Sequence, residues 1–452
     1  MIPALYSTPV IKGKISNAGR PLLPLRRMVG LLYLKHAFDE SDESVCARWA
    51  ENPYWQYFTG EQYFQTGGPC DPTLLVKFRQ RLDEAGVEEL LSQTIAAAVQ
   101  MKVVKVAELQ RVIVDTTVQQ KAVAFPTDSR LLEVARKKLV LLSERHGVEL
   151  RRNFAREAPR LGFAAGRYAH ARQFKRMRKV IKRQRTILGA VIRDVERKLL
   201  IKNDVSINQL FSVWLERCKR IVTQQKHDKN KLYALHAPEV ECISKGKART
   251  PYEFGVKVGI AIVAAKGMSK GLVLGARSFV GRPYDGDTLA EQLEQVENIT
   301  GYKPHTAIVD LGYQARKVTG VEILHRRVGK GKDRTAVQKY WLKRRQAVEP
   351  TIGHMKQDCG MGRCYLQGAK GDAIHAVLCA AGYNLRLLLR WLRFLWLLQV
   401  PQTGLLAVML RWGRQFVTSL QPKPSSADVY GCGLALASYS NWKWKWKWIF
   451  QG

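Results

Sequence analysis

Residues 110–119 read QRVIVDTTVQ. Three consecutive β-branched residues, Val112, Ile113 and Val114, run into an acid and two threonines. β-branched side chains favour an extended backbone, and a short continuous apolar run is the pattern of a strand covered on both faces. The expectation is a buried strand whose C-terminal end carries Asp115. The pattern recurs in HTAIVDLGYQAR (305–316), where a β-branched run ends in Asp310. Two such strands predict an α/β fold built on a central sheet.

The chain between and after them fits that sheet. PYEFGVKVGIAIVAA (251–265) and GLVLGARSFVG (271–281) read as a hairpin joined across Lys266 to Lys270. YDGDTLAEQLEQVENIT follows as a helix started near Asp285 or Asp287. After Asp310 come a short strand, VEILHRR, a loop rich in Gly and Lys, VGKGKDR, and a helix carrying RRQAVEPTIGHMK (344–356). Pro350 cannot donate to the carbonyl of Gln346, so this helix should kink or restart within a turn of Glu349. If the first and fourth strands lie side by side, Asp115 and Asp310 meet and the late helix delivers Glu349 to them. Strand C-terminal ends are where such sheets place their ligands.

The charge is far from ordinary: 74 Lys and Arg against 38 acids give a net +36 over 452 residues. Such a chain repels itself in isolation, which implies a polyanionic partner, nucleic acid first. Half of that charge, +18 from 27 basic and nine acidic residues, lies in 131–235. There Phe174, Met177, Ile181, Leu188, Val191, Val195 and Leu199 keep three-to-four spacing, predicting one long amphipathic helix with a DNA-contacting surface. Residues 22–100 read as helical too, with an aromatic, turn-rich piece, ENPYWQYFTGEQYFQTGGPCDP, in the middle.

Eight Cys are scattered, none in C-x-x-C pairs and none with a His cluster beside them in the sequence. Neither a zinc site nor a disulfide framework is expected. The N-terminus lacks the apolar run of a signal peptide. In AVLCAAGYNLRLLLRWLRFLWLLQV (376–400), Arg386, Arg390 and Arg393 share one helical face, which argues for an amphipathic helix rather than a membrane span. The NWKWKWKW end is unexplained.

Three acids converging in so basic a chain suit few tasks. Oxygen ligands select hard cations such as Mg²⁺ or Mn²⁺. Two such ions about 4 Å apart can activate an attacking oxygen and stabilise a leaving one in phosphodiester cleavage. Each acid has a plainer reading. Asp115 could be a turn residue capped by its threonines, Asp310 could start a turn, and Glu349 could pair with Arg345 one helical turn earlier. Asp285 and Asp287 compete as metal ligands.

With these residues in hand, the chain resembles the DDE transposases of bacterial insertion sequences over about residues 20–400. The likeness lies in IVDTTVQQKAVAFPTDS, IVDLGYQAR and RRQAVEPTIGHMKQD, with HAPEVECISKGKARTPYEFGVKV and GMGRCYLQGAKGDAIHAVLCAAGYNLR in support. The resemblance implies a ribonuclease-H-like mixed sheet flanked by helices and interrupted by a basic helical insertion. It implies an N-terminal helical, DNA-end-binding domain over 1–100, catalytic segments at 101–130 and 236–370 around the insertion 131–235, C-terminal helices at 371–420 and a tail at 421–452. Asp115, Asp310 and Glu349 would be the catalytic, metal-binding triad for two Mg²⁺ or Mn²⁺ ions. One branch of the family has a Tyr-x2-Arg-x3-Glu-x6-Lys signature. Arg345, Glu349 and Lys356 fit its spacing, whereas its Tyr position is Leu342, leaving Tyr340 as a nearby substitute. Arg345, Lys356, Arg344, Lys330 and Lys332 would contact DNA.

The function so implied is cleavage at the terminal inverted repeats of an insertion sequence, then transfer of the 3′-hydroxyl ends to target DNA. A cytoplasmic, nucleoid-associated dimer or larger synaptic assembly, with no membrane partner, would carry it out. The alternatives are a catalytically retired DNA-binding descendant and a nuclease without strand transfer.

Overall fold

The computed structural model describes residues 10–11, 14–15, 23–244, 251–313, 317–326 and 334–399. Lys330, Lys332 and the tail with its alternating Trp and Lys lie outside the described residues. A mixed sheet of six strands organises the rest. These are β1 (Arg111–Gln120), β2 (Glu241–Ser244), β3 (Tyr252–Val263), β4 (Val273–Phe279), β5 (Thr306–Ile308) and β6 (Glu322–Leu324). β1 lies at the centre, antiparallel to β3 and parallel to β5, and β5 is parallel to β6. β2 and β4 share the far edge of β3, pairing with 252–255 and 257–262 respectively.

The expected hairpin is β3–β4, and the first and fourth expected strands are the adjacent β1 and β5. One detail differs. β1 continues five residues past Asp115, because DTTVQQ keeps pairing with β3 as far as Gln120–Gly255. Asp115 is therefore in mid-strand. β5 accompanies only Arg111–Ile113 of β1, so Asp115 lies just beyond the end of that parallel pairing.

Among the described residues, four helices longer than one turn precede the sheet: α1 (Leu25–Ala37), α2 (Asp42–Glu51), α3 (Pro53–Phe58) and α4 (Pro72–Gln100), the last kinked at Asp83. Part of the aromatic piece expected to be turns is α3. Asn52 caps it by accepting from the Tyr54 and Trp55 N–H groups, and Pro53 fills the first position, where no donor is needed. Met28, Leu31, Leu90 and Leu91 belong to the same apolar core as Val112, Ile113, Ile260 and Leu274. The chain boundary near residue 100 is thus no boundary in packing, and Met1–Trp391 forms one compact unit. Each fully buried Leu there contributes about 1.5–3 kcal/mol.

Between β1 and β2 the basic segment forms α5 (Asp128–Arg145), α6 (Glu157–His170), α7 (Phe174–Lys202) and α8 (Val205–Thr223). They close around a separate core that includes Leu132, Leu139, Leu188, Val191, Val195 and Phe211. α7 covers the predicted amphipathic stretch. Of its apolar stripe, Leu188, Val191, Val195 and Leu199 are buried, Met177 and Ile181 are half-buried and Phe174 is exposed, while Lys175, Lys179 and Lys182 stay exposed.

After β4 come α9 (Asp285–Thr300), and later α10 (Ala336–Arg344), α11 (Val348–Asp358) and α12 (Gly368–Gln399). No described helix is long and apolar enough to cross a membrane. A second compact unit, Leu392–Gly452, is described only as the end of α12.

Asn384 of α12 joins three elements. Its Nδ2 donates to Val273 O at 2.8 Å and Thr94 Oγ1 at 3.0 Å, and its Oδ1 accepts from Val273 N at 2.9 Å. It is fully buried, so truncation strands a β4 amide and carbonyl in an apolar setting. Asn384→Ala should lower unfolding free energy by about 2–4 kcal/mol, read as a lower urea midpoint with an unchanged slope.

Candidate active site

Asp115 projects from the middle of β1, and Asp310 stands two residues after the last residue of β5. Parallel pairing of the two strands brings both acids to the C-terminal end of the β1–β5 pairing. α10 is pinned at the other end of that pairing, by the start of β1 and the end of β3, through three contacts. Arg111 lies 4.6 Å from the Trp341 ring centroid, Lys266 Nζ lies 4.5 Å from that of Tyr340, and Arg344 Nη2 donates to Ala265 O at 2.7 Å. The chain then makes a single 3₁₀ turn, Arg345–Ala347, and restarts as α11 at Val348. Pro350 sits in the first turn of α11, where its missing N–H costs little. Val348, Thr351 and Met355 bury one face of α11, leaving Glu349 on the open side.

Arg345 gathers the three acids. Its Nη1 is 3.5 Å from Asp115 Oδ2, and its Nη2 is 3.9 Å from Asp310 Oδ1 and 3.7 Å from Glu349 Oε1. Side-chain exposure rises outward, from 12% for Arg345 and 23% for Asp115 to 49% for Asp310 and 63% for Glu349. The inner end of the cluster is fixed and the outer end faces solvent. One guanidinium against three carboxylates leaves the group net negative inside a strongly basic protein. Ion pairs this exposed add under about 1 kcal/mol each, so the arrangement is better suited to holding cations than to stabilising the fold. An all-oxygen donor set fits hard divalent ions.

The two competing acids are placed differently. Asp285 Oδ1 accepts from Thr116 Oγ1 at 2.9 Å and pairs with Lys257 Nζ at 2.7 Å. Successive strand residues face opposite sides of a sheet, so Thr116 turns away from Asp115 to meet α9. Asp285 is thus occupied within the fold, and with Asp287 it forms the acidic first turn of α9. Gly312 permits the close approach of this turn: a Cβ there would lie 3.2 Å from Asp285 Oδ2. Next to it Tyr313 is buried. Burial, reinforced by the Asp115 and Asp285 carboxylates, pushes its hydroxyl far above the usual phenol range and keeps it protonated.

The basic residues separate in the same way. Arg345 lies among the acids, whereas Arg344 spends one nitrogen on the Ala265 carbonyl. Lys356 is half-buried two turns along α11 from Glu349. Tyr340 packs edge-on against Trp341, with ring centroids 5.0 Å apart. The pinning of α10 by Arg111 and Lys266 was not foreseen from sequence, since a cation over a ring leaves no spacing signal. Nor was a second group of metal-capable side chains, in which His36, His375 and Cys379 come together, buried, from opposite ends of the chain. The expectation that no His cluster accompanies the cysteines missed this group, although His375 and Cys379 are four residues apart.

Two family models match the chain. The Transposase domain (DUF772) covers residues 4–81, and the Transposase DDE domain covers 313–389, a span that contains Arg345, Glu349 and Lys356. An uncharacterized Rhizobium meliloti protein, ORF8 in the nfe locus, is 51% identical over 156 residues, covering 34% of this chain and 75% of the relative. No solved structure matches. Transposase signatures at both ends of the same compact unit, one of them laid over the helix that bears Glu349, place the chain among the DDE-type insertion-sequence transposases.

Proposed function

We propose that this transposase cuts the phosphodiester backbone at the terminal inverted repeats of its own element and joins the freed 3′-hydroxyl ends to target DNA. The observation that carries the reading is the convergence of Asp115, Asp310 and Glu349 on the Arg345 guanidinium at the end of the β1–β5 pair. The topology, β3 antiparallel to β1, β2 and β4 with β5 and β6 parallel to β1 beyond it, supports a ribonuclease-H-like catalytic domain interrupted between β1 and β2 by the basic insertion.

In this reading Asp115, Asp310 and Glu349 hold two divalent ions, Mg²⁺ or Mn²⁺. The ions would supply an activated nucleophile and charge stabilisation on the leaving oxygen. Arg345 orients the three carboxylates and stays close enough to meet a phosphate oxygen beside them, in the bidentate geometry its planar fork permits. Lys356, farther along α11, continues the phosphate track, and Lys330 and Lys332 belong to the same basic stretch of sequence. Arg344 fixes α10 and so acts on the site through position. The exposed lysines of α7 and the helices over 1–100 grip the element ends, and a dimer or larger assembly brings two ends together.

Asp115→Asn, Asp310→Asn and Glu349→Gln should each reduce Mg²⁺-dependent cutting of end-containing DNA by about a thousandfold or more, the equivalent of ~4 kcal/mol in the barrier. Gel-shift affinity should persist. Cutting near the parental rate by any one of them removes that acid from the triad, and binding with no metal-dependent cutting by the parent protein would mark a retired enzyme. Arg345→Lys keeps the charge and loses the fork, so it should recover less than about a tenth of parental cutting. Replacing Lys175, Lys179 and Lys182 together by Ala should flatten the log–log salt dependence of DNA binding by about 2–3. An unchanged slope would put the DNA elsewhere.

A further inference from the structure

We propose that His36, His375 and Cys379 form a zinc site that clamps α1 to α12. Cys379 Sγ lies 3.6 Å from His36 Nδ1 and 3.7 Å from His375 Nε2. A tetrahedral zinc with ordinary Zn–S and Zn–N bond lengths spaces its sulfur and nitrogen ligands by about 3.5–3.6 Å. The two sulfur–nitrogen distances already match that span.

The fold builds this spacing. His375 and Cys379 are one helical turn apart on the same face of α12. His36 is brought across by a backbone-to-backbone crossing at Gly382, where an added Cβ would lie 2.6 Å from the His36 carbonyl carbon and 2.8 Å from Ala37 N. The neighbours on α12, Ala376, Val377, Leu378, Ala380 and Ala381, are all buried and apolar. Three polar side chains inserted into such a surface are costly unless they find partners, and one cation satisfies all three at once.

Neutral imidazole and thiolate are the ligating forms, so zinc binding releases the Cys379 proton. Without a cation, His375 Nε2 is 3.1 Å from the Gly360 carbonyl and carries the proton donated there. Ligation moves that proton to the other ring nitrogen. The site is also reachable, since His36 and His375 line a cavity of about 510 Å³ together with Asp39, Cys359 and Gly360. Nitrogen and thiolate donors favour zinc and exclude Mg²⁺, so this site is chemically distinct from the carboxylate cluster.

The test uses the full-length chain carrying Asp115→Asn, Asp310→Asn and Glu349→Gln together, which removes the competing oxygen site. After chelator treatment and addition of Zn²⁺, gel filtration should leave one zinc per chain by elemental analysis, with a raised Tm that Mg²⁺ does not reproduce. Cobalt in place of zinc should give a thiolate-to-cobalt charge-transfer band and the intense visible bands of a tetrahedral ion. Adding Cys379→Ser, or His36→Gln with His375→Gln, should abolish retention. Absence of retained zinc, a cobalt spectrum without the thiolate band, or unchanged retention by Cys379→Ser would reduce the cluster to a hydrogen-bonded core. If the Cys379→Ser chain does not fold, the cobalt spectrum of the Cys379-containing chain decides.

Discussion

Arg111, Val112 and Ile113 pair in parallel with Thr306, Ala307 and Ile308, and the whole basic insertion and the β3–β4 hairpin lie between those two triplets in the chain. Everything at the carboxylate cluster depends on this short register. A slip of one residue would turn Asp115 to the opposite face of the sheet. The register is held from outside as well. Arg111 lies under Trp341 and Arg344 ties to Ala265, so the helix that delivers Arg345 is fastened to the ends of the strands it serves.

Charge balance explains why an arginine stands among three acids. Carboxylates crowded at the end of the β1–β5 pairing repel one another. Arg345 moderates the repulsion without filling the site, because its single charge leaves the group negative. Exposure rises outward across the group: Arg345 and Asp115 are mostly covered, and Asp310 and Glu349 are open to solvent.

Much of this could be read from QRVIVDTTVQ and its echo at Asp310. A β-branched run ending in an acid is a local signal, and local signals survive without knowledge of the partners. The hairpin, the α9 start and the interrupted helix at Pro350 were legible for the same reason. The missing parts were non-local. Nothing in DTTVQQ announces that pairing with β3 continues to Gln120. Nothing in the aromatic piece separates α3 from a turn except Asn52 and Pro53. The packing of 1–100 into the sheet's own core is a property of surfaces, not of composition. The His36–His375–Cys379 group was missed because His36 is more than 300 residues from the His375–Cys379 pair it joins.

The insertion leaves the sheet after Gln120, folds around its own Leu and Val core and returns at Glu241. Its core is separate from the one that holds the strand register. If the basic helices grip DNA as proposed, a chain of this design can change the DNA it prefers while the carboxylate cluster stands still.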